Sequence, residues 1–310
     1  MGSSQFNNKS SMAKPDFYAQ DRIEQPQPSA TQLPEGLTTG KDASSLSLDR
    51  WARKAWLLSA IPLLAFFLVP IVVLFTRTTP ARVLASLSDP LVYQALSVSL
   101  KTTLISLCLI LILGTPVAFI LGRFKFRSKN LVETLVDLPT VLPPSVAGLA
   151  LLLAFGRNGA FGSILSHWGI TLAFTPVAVI MAQIFIASPY YIRPASVGFG
   201  SIEEEYIQAA QLDGAGPWDT FRYIILPMAR YGLISGGLMS WARALGEFGA
   251  TILFAGNLIG RTQTMPLAIY LGFESNLDLA LTLCVILVGI SFCSLLLIRF
   301  IAGKTTANLG

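Results

Sequence analysis

Between Ala55 and Phe75 no side chain carries a charge, and the run is about the twenty residues that an α-helix needs to cross a bilayer. Backbone N–H and C=O groups cannot be left bare in lipid, so such a run commits the chain to helix. Apolar segments recur at about Ser99 to Gly122, Pro144 to Phe155, Ile170 to Tyr190, Tyr231 to Leu253 and Leu279 to Ile301. About six transmembrane helices of this kind describe an all-α integral membrane protein. Composition agrees, since 53% of the 310 residues are hydrophobic and 13% charged, against about 25% charged in soluble domains. The third span is short, and Pro139, Pro143 and Pro144 break its approach. This Pro-rich stretch must lie at membrane depth against protein or a pathway.

The net charge of +5 suggests a nucleic-acid partner, but the basic residues are spread over loops and do not stripe one face. Membrane topology explains them better. Basic residues gather at 50–54, 123–129, 193, 222–230 and 299–304, whereas the opposite loops hold Arg77, Arg82, Arg157 and Arg261. The positive-inside rule then places both termini in the cytoplasm. Cys108, Cys284 and Cys293 fall in apolar spans and read as small hydrophobes. His167 is the lone histidine, so neither a zinc nor a haem site is expected. Residues 1–48 are rich in Ser, Gln and Pro without periodicity, which predicts a disordered cytoplasmic tail. The first transmembrane helix and an outer loop fill 49–94, a five-helix core fills 95–301, and 302–310 form a cytoplasmic C-terminal tail.

One passage is out of keeping with its surroundings. Residues 201–227 are polar, lie between spans four and five, and must therefore sit at a membrane surface. Ser201 followed by Glu204 reads as a capping box, and Glu203, Glu204 and Glu205 put negative charge at a positive helix end. Tyr206, Ala209 and Ala210 share one helical face. Gly214, Ala215 and Gly216 after Asp213 must break the helix, and Pro217 can restart it.

The string Ala209-Ala210-x-x-x-Gly214, nine residues, then Ile224-x-Leu226-Pro227 resembles the "EAA" signature of binding-protein-dependent ABC importer permeases. Gln208 stands where that family usually has Glu. The resemblance implies a type I importer permease fold. It also makes Glu204, Glu205, Gln208, Ala209, Ala210, Gly214, Ala215, Gly216 and Pro217 a coupling segment that seats in a separate ATPase subunit. The strings LPTVLPPSVAG, FGRNGAFG and ARALGEFGATILFAGNLIGRTQTMPLAIY narrow it to the molybdate permease subgroup of the molybdate/sulfate/tungstate family. Tungstate and sulfate or thiosulfate remain alternatives. That family implies a second copy of the chain, a dimer of ATPases carrying ATP and magnesium, and an extracytoplasmic oxyanion-binding protein in a bacterial inner membrane.

Arg243 and Glu247 stand four apart within span five. Charges at that depth are costly unless paired or facing water. Either they line the translocation path or they form a structural ion pair. Glu247 alone is thin support for an ion-gradient-driven secondary transporter, which would need a proton relay. Gly303-Lys304-Thr305 looks like the end of a phosphate-binding loop, but the first glycine position is taken by Ile298. ATP hydrolysis is therefore expected of a partner and not of this chain, which needs no cofactor of its own.

Overall fold

The computed structural model describes residues 50–306, with side chains from Ala55 to Leu296 except Arg82. The expected 1–48 tail and residues 307–310 lie outside the described residues. Among the described residues every regular element is helical. Contacts divide the chain into residues 1–63 and 64–310. Of the first unit, the structure describes the opening of α1 (Arg50–Arg77), where Leu57, Leu58 and Leu63 are all exposed. An apolar, outward-facing surface like this suits lipid, in which burial against protein is not required.

The second unit continues α1 and then holds α2 (Pro80–Ser86), α3 (Pro90–Arg123), α4 (Lys129–Val141), α5 (Pro144–Phe155) and α6 (Gly162–His167). After these come α7 (Pro176–Gly200), α8 (Glu204–Leu212), α9 (Pro217–Thr220), α10 (Leu226–Leu245), α11 (Gly249–Phe254), α12 (Met265–Ser275) and α13 (Leu277–Thr306). Pro90 opens α3 at its first turn, where a missing N–H costs nothing, and the Asp89 carboxylate accepts from the Leu91 amide at 2.8 Å. Along α3 the buried residues Val92, Ala95, Ser99, Ser106, Ile110, Gly114 and Ala118 form one stripe. Leu104, Ile112 and Leu113 on the other faces are exposed.

That stripe packs on α7, and α10 packs on both α3 and α7 to make the centre of the fold. Small residues let these helices approach closely, as membrane helices do where hydrophobic burial supplies no drive. A Cβ on Gly232 of α10 would lie 2.5 Å from the Pro194 carbonyl of α7, and one on Gly236 would lie 2.8 Å from the Tyr191 carbonyl. The glycine-bearing face of α10 is therefore a packing face. Between α3 and α7 lies a buried polar cluster. Ser106 donates to Gln183 Oε1 at 2.8 Å, and the Gln183 amide donates to Thr102 and Thr103 at 3.3 Å each.

Several expected boundaries move. Span two begins at Pro90, nine residues before Ser99, because α3 continues beyond its apolar centre. Span four is α7 and is displaced toward the C-terminus. Residues 170–175 form a loop, and α7 runs through Pro189 and Pro194 to Gly200 because packed neighbours accommodate the carbonyls that proline frees. The short α5 and the amphipathic α4 form one bent pair, with 114° between them at the Leu142–Pro143 break. Among the described residues four helices are long and apolar enough to cross a bilayer, and a fifth span is added if that pair is one span. The expected span from Tyr231 to Leu253 is not a single apolar helix. It breaks at 246–248 between α10 and α11, and carries Arg243 and Glu247 among neighbours that replace lipid. Between the spans expected to end at Leu253 and to begin at Leu279 the sequence predicts a loop through Gly260 to Asp278, but α12 lies there, with Met265, Leu267 and Ala268 buried.

Candidate functional site

The 201–227 passage folds as a helix, a turn and a second helix. Glu204 and Glu205 lie in the first turn of α8, as the helix dipole favours. The capping box does not form. Because α7 extends to Gly200, Ser201 closes that helix and donates its hydroxyl to the Gly198 carbonyl at 3.0 Å. Glu203 takes the cap position of α8 without a side-chain bond. The Glu204 carboxylate is instead held by Arg123, whose other guanidinium nitrogen donates to the Ile202 carbonyl at 2.7 Å.

The turn is built as the sequence requires. Gly214 has φ +87°, a left-handed conformation that glycine adopts at no steric cost. Its amide donates to the Gln211 carbonyl at 3.0 Å, and the Ala215 amide donates to the Ala210 carbonyl at 2.9 Å. Together these bonds make a Schellman motif that satisfies the last carbonyls of α8. Gly216 then caps α9, with Pro217 as its first residue. The second helix does not stop at Thr220, because α9 joins α10 through a π-turn over Phe221–Ile225. Pro227 has no N–H for the Tyr223 carbonyl, and Leu226 donates five residues back, to Phe221. The polar passage thus runs without interruption into the central helix.

Ile207 and Ile225 bury their side chains in the same core as Phe199 and Ile202. Phe221 meets Phe119 of α3 edge to face, with centroids 5.3 Å apart. The segment is therefore fixed to α3 and α7, yet Gln208, Ala209, Leu212 and Trp218 stay exposed. A groove of about 980 Å³ opens there, lined by Tyr206, Ala209, Ala210, Ala215, Tyr223 and Tyr231 among others. It brings together the small residues expected on one face of α8.

At the end of α10, Arg243 Nη1 lies 2.9 Å from Glu247 Oε2. The sequence placed both on one helix, but α10 ends at Leu245 and Glu247 sits in the break that follows. Glu247 is 1% exposed, and its Oε1 accepts from the Ala250 amide at 2.8 Å, capping the start of α11. One carboxylate thus joins an ion pair to a helix cap. Trp241 Nε1, Thr251 Oγ1 and Thr264 Oγ1 are buried without a hydrogen-bond partner among the described residues. Sequence reasoning missed a second cluster: Arg193 of α7 holds Asp137 and Glu133 of α4 and so pins the bent pair, with Lys129 lying 3.9 Å from Glu133. Asp137 within an apolar stretch was the available signal. Gly303–Thr305, the phosphate-loop look-alike, lies inside α13 and has no strand before it among the described residues.

A family profile described as the binding-protein-dependent transport system inner membrane component matches residues 114–305. The chain is 40% identical over 232 residues to the probable transport system permease protein NifC of Clostridium pasteurianum, covering 74% of this chain and 81% of that one. It is 38% identical over 244 residues to the molybdenum transport system permease protein ModB of Mycobacterium bovis, covering 79% and 91%. With ModB of Escherichia coli (strain K12) the identity is 37% over 230 residues, covering 72% and 99%. Among solved structures, a bacterial ABC transporter that imports alginate matches with a TM-score of 0.64 and 17% identity, over 83% of this chain and 96% of that one. At that identity the likeness is one of fold. The profile and these relatives describe the membrane component of a transport system. The chain belongs to the family of binding-protein-dependent transport system inner membrane components.

Proposed function

We propose that this chain is the permease subunit of an ATP-driven importer for a tetrahedral oxyanion, molybdate in the first place. Residues 201–227 would couple it to a separate ATPase. The observation that carries the reading is the exposed groove beside Ala209 and Ala210, on a segment anchored to the helices α3 and α7. A surface both open to a partner and rigidly joined to the spans can pass a partner's movement inward. Similarity to permeases named for molybdenum transport supports the substrate. The assembly pairs two copies of this chain with two ATPases that bind ATP and magnesium, and with an extracytoplasmic binding protein. Both termini and the 201–227 segment face the cytoplasm, following the basic residues of the loops.

Glu247 is buried and caps α11 while pairing with Arg243. That geometry favours a lock at the α10–α11 break over a charge lining the path. The test is uptake into vesicles holding this chain, its ATPase and the binding protein, with molybdate, tungstate and sulfate in competition. ATP-dependent molybdate uptake that sulfate does not displace is expected. Uptake that ignores ATP and follows an ion gradient would overturn the proposal.

A further inference from the structure

A second cavity, of about 370 Å³, lies at the far end of α3 from the polar segment. Lys101 lies 22 residues before Arg123 on the same helix, which at 1.5 Å per residue is about 33 Å, one hydrocarbon thickness. If Arg123 marks the cytoplasmic boundary, Lys101 therefore marks the outer one. The cavity is lined by Gln94, Ser97, Lys101 and Thr102 of α3, by the start of α7, and by Gly260 and Arg261. Its lining holds two cations and no carboxylate. The side chain of neither Lys101 nor Arg261 makes an ion pair or hydrogen bond among the described residues.

The two cations are brought together by built structure. The amides of Arg261, Thr262 and Gln263 all donate to the Leu258 carbonyl, at 3.0, 2.9 and 3.0 Å. The Thr262 hydroxyl accepts from the Leu258 amide at 2.9 Å, and Thr262, Gln263 and Thr264 are buried. This knot is fixed to α3, since the Met265 amide donates to the buried Ser99 hydroxyl at 2.7 Å, two residues from Lys101. Gly260 is left-handed at φ +71°, a conformation that favours glycine, and the place a Cβ would take lies 2.9 Å from Gln94 Oε1. Lys101 and Arg261 are both exposed on the lining of one cavity, so an anion there would be attracted by both.

We infer that this cavity is an outer receiving site for a tetrahedral oxyanion dianion, bound by Lys101 and Arg261 with the Ser97 hydroxyl and Gln94 amide as neutral donors. The inference rests on the importer reading for the identity of the anion and for the side of the membrane. Donors of this kind suit such an anion, because charge-assisted bonds are the strong ones and guanidinium presents a fork to paired oxygens. Below the site lie the buried Thr102 and the Gln183 cluster, so the site sits at the head of the α3–α7 seam.

The test has two arms. In vesicles with the ATPase and binding protein, Lys101→Gln and Arg261→Gln should each lower molybdate uptake by about tenfold or more, the loss of one charge-assisted contact. Binding-protein-stimulated ATP hydrolysis should persist. In the second arm, a Ser97→Cys reporter is placed in the permease–ATPase complex with Cys108, Cys284 and Cys293 changed to Ser. Its labelling by an anionic thiol reagent should be slowed by molybdate, compared with chloride of equal ionic strength. The slowing should vanish in the Lys101→Gln/Arg261→Gln background. Unchanged uptake in both single variants, or slowing that persists without the two cations, overturns the inference. So does loss of binding-protein stimulation with slowing intact, which would make this a docking face for the binding protein. If wild-type vesicles show no ATP-driven uptake while the slowing is present, the importer reading fails and the anion site stands.

Discussion

Two Arg–Glu pairs in this molecule have the same chemistry and opposite settings. Arg123 and Glu204 meet at the protein surface, with the Glu204 side chain 62% exposed. Arg243 and Glu247 meet in the protein interior, with the Glu247 side chain 1% exposed. Water screens the first pair, so its worth lies in where the Arg123 fork holds the Ile202 carbonyl and α8. In the second, desolvation makes each charge dependent on the other, and the helix cap at Ala250 depends on both. The surface pair ties the start of α8 to α3; the buried pair lies at the break between α10 and α11, which we propose it holds in place.

The largest effect should come from parting the buried pair. Glu247→Gln or Arg243→Gln leaves one charge uncompensated, and a loss of about 3–5 kcal/mol is expected, seen as early aggregation of the purified complex on heating. The Arg243→Gln/Glu247→Gln double variant should be more stable than either single one. If the double variant is instead the sum of the singles, the two charges act apart and the lock is wrong. Next in size, Gly236→Val at the α7–α10 crossing should cost about 1–3 kcal/mol, because its side chain meets the Tyr191 backbone. The same thermal assay reads it, and an unchanged midpoint would mean that these helices are not close-packed. Smaller still, Gly214→Val strains the left-handed turn by about 1–2 kcal/mol while meeting no neighbouring atom. The spans should stay folded, and any loss should appear in ATP-coupled uptake. Smallest is Glu204→Gln, worth about 0.2–1 kcal/mol in stability. A stability loss as large as that of Glu247→Gln would erase the distinction between the two pairs.

Sequence reasoning read the surface region well and the membrane core less so, for a physical reason. The turn at Asp213–Gly216 is fixed by local chemistry, in which a left-handed glycine and a first-turn proline allow few alternatives. The helix and break around it were therefore legible from residue types alone. The Ser201 capping box failed because α7 outruns its apolar run, and a serine can close one helix as readily as open the next. Inside the bundle almost every residue is apolar, so composition marks spans but not their ends, and α12 was hidden in a supposed loop. The pairs Arg123–Glu204 and Arg193–Asp137 join residues far apart in the chain and depend on how helices pack. Lys101, a lone charge in an apolar span, was visible in the sequence, but its relation to Arg261 requires the folded loop.

The most direct test of coupling through 201–227 is the ratio of molybdate taken up to ATP hydrolysed in one vesicle preparation, for wild type and for Gly214→Val. The account predicts that the variant co-purifies as a folded complex and retains basal hydrolysis while the ratio falls toward zero. An unchanged ratio in a fully assembled complex would contradict it, and the movement of the ATPase would then have to reach the spans by another route.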